Sequence, residues 1–300
     1  MKHTWKVTTY LVLLFLSTQL LGTWLLSKNV HVEAEDGKIV LQHGDTVLGP
    51  RPEMTGAGSF LYIFTAVIIG TILLLILIRY KKIVVWKVWY GLACFLTLSI
   101  ALGVLLQNAL AFLLAAILTG LKIFKQNIYT HNLTEILIYS GIGVFLAPLL
   151  DVVWGAVLLV IVSFYDMYAV WKSKHMVAMA QFQNQTKMFA GLSLPYKTKP
   201  RETILTTPAR LKAAKGEPQN AILGGGDLAF PLIFTGAAME SLLLAGKSTA
   251  SALGYSSLVI AGSTIALLLL FMLAKRNKFY PAMPILTLGC FAGYAVMMLV

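Results

Sequence analysis

Two aspartates carry the clearest chemical signal in the sequence. Asp166 lies in VSFYDMYAVWKSK and Asp227 in ILGGGDLAFPLIF, each in an apolar run suited to lipid. An ionisable group at membrane depth is costly, so by default it marks a functional site. Asp166 stands six residues before the basic boundary at Lys172, and Asp227 seven residues after Asn220, where a polar loop ends. At roughly 1.5 Å per residue, both sit about 10 Å inside the same membrane face. Two carboxyls in a poorly solvated site do not both ionise readily and tend to share one proton. One can then activate a water while the other, protonated, polarises a carbonyl, as in aspartic proteases. A proton or cation relay uses the same groups. The chemistry of the pair leaves protease and relay open.

The other acids near apolar runs have structural readings. Glu135 is expected at a helix start, where an acid complements the helix dipole. Asp151 is placed to cap the helix that follows it, and Glu240 to reach the headgroup region. Gly224, Gly225 and Gly226 each disfavour helix by about 1 kcal/mol relative to alanine. Irregular backbone at membrane depth is tolerated where it lines a cavity or is buried in protein, so the glycines point to a cavity beside Asp227. A third element, KFYPAMP at 278–284, starts the last apolar run at the same face. Pro281 reads as a first-turn proline there, and Pro284 fits that reading less well.

The elements that must position these residues follow from composition. The chain has 300 residues, of which 58% are hydrophobic and 12% charged, with a mean hydropathy of +0.79. A soluble domain could not cover its exterior with so little charge, so the fold class is an all-α polytopic membrane protein. Apolar runs predict nine transmembrane helices, near 8–27, 59–79, 84–105, 107–124, 133–150, 152–171, 221–245, 250–274 and 281–299. With the N-terminus cytosolic and the C-terminus outside, 19 of the 24 basic residues fall on the cytosolic side.

The organisation is therefore helices 1–6 over residues 1–171, a basic cytosolic loop at 172–220, and helices 7–9 over 221–300. The loop holds four prolines (195, 200, 208 and 218), and its second half is expected to be flexible. The outer segment 28–58 alternates around Asp36-Gly37 as a β-hairpin does. The net charge of +12 is explained by cytosolic loops and implies no nucleic-acid partner. Cys94 and Cys290 lie inside apolar runs and imply core packing. There is no HExxH, and the five histidines lie outside helix centres, so no metal and no cofactor are expected.

At this point the motifs resemble a known family. Tyr165-Asp166 looks like the YD motif of presenilins and signal peptide peptidases, Gly224 to Asp227 like their GxGD motif, and Pro281-Ala282-Met283 like their PAL motif. Order, spacing and helix count agree over essentially the whole chain; Met283 departs from the motif's leucine. The resemblance implies an intramembrane aspartyl protease with Asp166 and Asp227 catalytic, and with Tyr165, Gly224, Gly226, Pro281, Ala282 and Met283 supporting the site or positioning substrate. It favours protease over the alternative of an ion- or proton-coupled transporter. It also implies a prokaryote-type presenilin homologue, multi-pass in the cell membrane, whose partners are transmembrane-helix substrates and lipid. Homo-oligomerisation stays open.

Overall fold

The computed structural model describes residues 5–35, 38–52, 54, 56–80, 82–125, 127–173, 188–196, 219–274 and 280–300. Among these residues there are nine α-helices: α1 (Trp5–Asn29), α2 (Ala57–Arg79), α3 (Ile83–Gly103), α4 (Asn108–Phe124), α5 (Ile128–Leu146), α6 (Val152–Tyr168), α7 (Gly225–Leu244), α8 (Thr249–Leu273) and α9 (Met283–Leu299). Seven are long and apolar enough to cross a membrane, and α4 and α9 are shorter apolar helices. At 17 residues each, these two reach about 26 Å against a hydrocarbon core of about 30 Å.

Within 28–58 the expected antiparallel hairpin forms, β1 (Val30–Glu35) with β2 (Lys38–His43), in the register Val30 opposite His43; its Asp36-Gly37 turn lies outside the described residues. Two anchors tie this region to the bundle. His43 Nε2 lies 2.9 Å from Glu240 Oε1, and Arg51 donates to the carbonyls of Gly44 and Val144. Glu240 is thus buried and paired, not extended to the headgroups, because the hairpin folds back over the end of α7. Asp151 caps α6 as expected, accepting the Trp154 amide at 2.8 Å.

Three boundaries differ from the sequence reading. The fifth helix begins at Ile128, capped by Asn127, whose side chain accepts the Tyr129 amide at 3.1 Å. Glu135 therefore lies two turns inside α5 and is 1% exposed, so it does not serve the helix dipole. The seventh run is a strand before it is a helix. β4 (Gln219–Gly224) pairs antiparallel with β3 (Gly191–Tyr196), and α7 begins only at Gly225. Ala221 and Leu223 are buried while Ile222 is less so, the period-two pattern of a strand. The glycines that follow have little helix propensity with which to extend α7 backwards. The ninth helix begins at Met283, which leaves Pro281 outside it and puts Pro284 in its first turn, where a missing amide costs nothing. The long loop thus contributes two ordered strands, and the stretch expected to be flexible lies outside the described residues.

The core centres on α7, which touches α1, α5, α6, α8 and α9. Leu232 is buried between two glycines of its neighbours: a Cβ on Gly22 of α1 or on Gly143 of α5 would strike its side chain. The α8–α9 crossing is closer still, since a Cβ on Gly262 would meet the backbone of Gly289 and Gly293. In lipid there is no hydrophobic drive between helices, so such close backbone contact supplies much of the association. Cys94 and Cys290 are buried and unbridged.

Candidate active site

Asp227 is the third residue of α7, whose N-cap is Gly224. Its carboxyl turns back toward the Gly224 amide, the contact that the third residue makes in a capping box. Proline at 231, inside α7, has no amide to offer the carbonyl of Asp227 four residues earlier, which loosens this first turn. The next carbonyl, of Leu228, accepts the side-chain amide of Gln19 from α1 at 2.9 Å.

Asp166 sits near the end of α6 and is buried at 5% exposure. Its Oδ2 accepts the Met283 amide at 3.1 Å. That amide is the first of α9, a helix whose own N-cap residue, Ala282, has no side-chain acceptor to offer. Asp166 therefore caps α9 from another helix. The chain beyond Asp166 continues as a π-helical turn, Ala169–Ser173, a rare form that is frequent at functional sites. Three residues before Asp166, Ser163 Oγ lies 2.8 Å from Thr287 Oγ1 of α9 and locks α6 to α9 beside the carboxyl.

Asp227 thus sits in the first turn of α7 and Asp166 on the first amide of α9, with the two carboxyls within electrostatic reach of each other. Each carboxyl accepts from an amide at a helix start, Asp166 at α9 and Asp227 at α7, a position suited to holding negative charge. Asp227 is half-buried beside the exposed Gly226, whereas Asp166 is enclosed. The structure brings Gly224, Gly226, Ala282 and Met283 to this place with the aspartates, along with the buried Pro281. Tyr165 stands on the outer face of α6, 37% exposed.

Among the three glycines, the tightest is the one the motif leaves unspecified. A Cβ on Gly225 would run into the hydroxyl and ring of Tyr139 on α5, while one on Gly224 or Gly226 would lie no nearer than 3.3 Å or 3.4 Å to its nearest neighbour. Sequence reading missed Tyr139, Gln19, Ser163 and Thr287. Gln19, a lone amide inside an apolar run, was the one visible signal. Further along the same helices from the aspartates, α6, α7 and α9 form an open apolar groove of about 620 Å³, lined by Val152, Val157, Ile161, Phe234, Phe291 and Tyr294 among others. Among the described residues no group of three or more histidine, cysteine or acidic side chains gathers as a metal site.

The profile of the family described as "Signal-peptide peptidase, presenilin aspartyl protease" matches residues 40–300. The chain belongs to this family. It is an intramembrane aspartic endopeptidase and an integral membrane protein, and the cation-pathway alternative is not favoured. Its fold is that of two solved structures of a presenilin family intramembrane aspartate protease. One, in a C222 space group, has 18% identity and a TM-score of 0.61 and covers 97% of each chain. The other, in a P2 space group, has 18% identity and a TM-score of 0.60 and covers 96% of each chain. No curated protein matches this chain.

Proposed function

We propose that this presenilin-family protease hydrolyses peptide bonds within transmembrane helices of membrane-protein substrates, with Asp166 and Asp227 as its catalytic pair. The observation that carries this is the convergence of the two carboxyls at the starts of α7 and α9. One carboxylate takes a proton from a water as the water oxygen bonds to the scissile carbonyl carbon. The other carboxyl gives its proton to the carbonyl oxygen, forming a neutral tetrahedral gem-diol. The first carboxyl then gives its proton to the amide nitrogen while a gem-diol hydroxyl gives its proton to the second carboxylate. The carbon–nitrogen bond breaks, leaving a carboxylic acid and an amine, and the pair again holds one proton. Acid–base assistance of this kind contributes about 10²–10⁴-fold, and the fixed dipoles of two helix starts add electrostatic support.

The basic-residue bias supports a cytosolic N-terminus and β3–β4 side and an outer C-terminus, in a protein of the cell membrane. Substrates then have N-termini outside and are cut near the cytosolic face. A helix exposes no scissile bond until it unwinds, and β4, which runs directly into Asp227, offers an edge on which the extended backbone can pair. The open apolar groove between α6 and α9 suits the part of the substrate that remains helical. Purified protein incubated in vesicles with a transmembrane peptide tests this. The expected products have new termini inside the spanning segment, read by mass spectrometry. Pro281→Ala, which frees the segment before α9, should lower turnover about tenfold or more by misplacing Asp166. An intact peptide after prolonged incubation with the wild type contradicts the proposal.

A further inference from the structure

The outer edge of β3 is not free. Gly191 and Ser193 turn their backbone groups away from β4 and toward α5. Glu135 Oε2 accepts the Gly191 amide at 2.8 Å, and His131 Nε2 lies 2.9 Å from the Gly191 carbonyl oxygen. The Asn132 side chain makes both bonds of a strand partner to Ser193: its oxygen accepts the amide at 3.0 Å and its nitrogen donates to the carbonyl at 2.9 Å. Backbone direction alternates along a strand, so the bonds to β4 fall on Leu192 and Leu194, opposite Leu223 and Ala221. Pro195 has the same parity as Ser193, so its missing amide leaves the ladder intact. On β4 the alternation turns Asn220 and Ile222 outward, so this edge leads into Asp227.

These contacts are held from behind by buried charge. Lys122 Nζ of α4 lies 2.6 Å from Glu135 Oε1, and both side chains are within 2% of full burial. Lys122 also donates to Thr134 Oγ1 at 2.9 Å, and the Tyr90 hydroxyl of α3 reaches Glu135 at 3.4 Å. A buried ion pair is weak evidence for stability but can specify a unique arrangement. Here it leaves one oxygen of Glu135 aimed at Gly191. Gly191 itself, at φ +140, has no room for a Cβ, which would meet the Leu223 carbonyl, so the register cannot slip without steric conflict.

We propose that Asn132 and Glu135 are positioning residues for the proteolytic reaction. Their side chains occupy the outer edge of β3 as a third strand would, fix the register of the hairpin, and leave β4 as the edge that receives extended substrate. They thereby determine which peptide bond lies opposite the aspartates. This rests on the protease reading above.

The test is full-length protein in vesicles with a transmembrane peptide, reading kcat, KM and the distribution of product termini, with thermal unfolding as a check on folding. Asn132→Leu, close in shape but without hydrogen bonds, should lower kcat about tenfold and spread cleavage onto neighbouring bonds. Glu135→Gln keeps an acceptor for Gly191 and should shift the distribution less. Asn132→Asp, which retains the acceptor and loses the donor, gives an intermediate spread and serves if the leucine variant does not fold. An unchanged product pattern in folded Asn132→Leu or Asn132→Asp, whatever the change in turnover, overturns the positioning role and leaves the protease reading intact. Absence of any product from the wild type overturns both.

Discussion

Helices α7 and α2 are both apolar, yet the bundle holds them differently. In α7, 72% of the most apolar window is buried, against 17% in α2. Mean hydropathy runs the other way, 1.4 for α7 and 2.8 for α2. The less greasy helix is the central one because it carries small and polar residues that other helices can approach closely: Gly225 and Gly226 at its start, Gly236, Thr235 and Glu240. α2 is filled with isoleucine and leucine that face outward, among them Ile69, Ile72 and Leu73. Near its start Phe60 stacks on Trp154 of α6 at 5.3 Å, and near its end Leu74 packs into the cluster around Trp86 and Tyr90 of α3. In lipid, hydropathy measures exposure to acyl chains, and close approach between helices measures burial.

Substitutions can break or sharpen this contrast. Leu232→Ala removes the knob between Gly22 and Gly143 and should cost about 2 kcal/mol in a detergent unfolding titration; that is the low end of the leucine-to-alanine range, because lipid replaces water as the reference. Gly225→Ala should follow at about 1–3 kcal/mol, with a fall in cleavage, since Tyr139 cannot yield without moving the turn that holds Asp227. Gly226→Ala, whose added Cβ would make only ordinary van der Waals contact with the Phe230 ring, should cost less in the same assays. Trp154→Ala, which unties the start of α2, should cost about 1 kcal/mol and speed hydrogen exchange in α2 while leaving α7 protected. Leu73→Ala, facing outward on α2, should stay within about 0.5 kcal/mol of wild type. Equal losses at Leu73 and Leu232 would erase the contrast.

Much of this was legible in the chain, for a physical reason. Nine apolar runs became nine helices because lipid leaves the backbone few other solutions. Asp166 and Asp227 could be paired because depth in a membrane can be read from distance to the polar boundary. The β3–β4 hairpin was not legible: its strands lie in or at the edge of a proline-rich polar loop, and Gln219–Gly224 reads equally well as the start of a helix. Nor was the Lys122–Glu135 pair. Each residue alone resembles an interfacial charge at a helix end, and only the packing of α4 on α5 removes both from solvent. The role of Gly225 was hidden because the motif ranks the glycines on either side of it, while the crowding comes from Tyr139, 86 residues earlier in the chain.

The central claim is that two carboxyls at converging helix starts perform the hydrolysis. The most direct measurement compares initial cleavage rates of one transmembrane peptide by wild type, Asp166→Asn and Asp227→Asn, reconstituted in vesicles at equal amounts of folded protein. Either substitution should reduce the rate at least about 10³-fold, and the double variant should be no slower than the singles, because the carboxyls act as one unit. A variant that retains more than about a tenth of the wild-type rate would contradict the account.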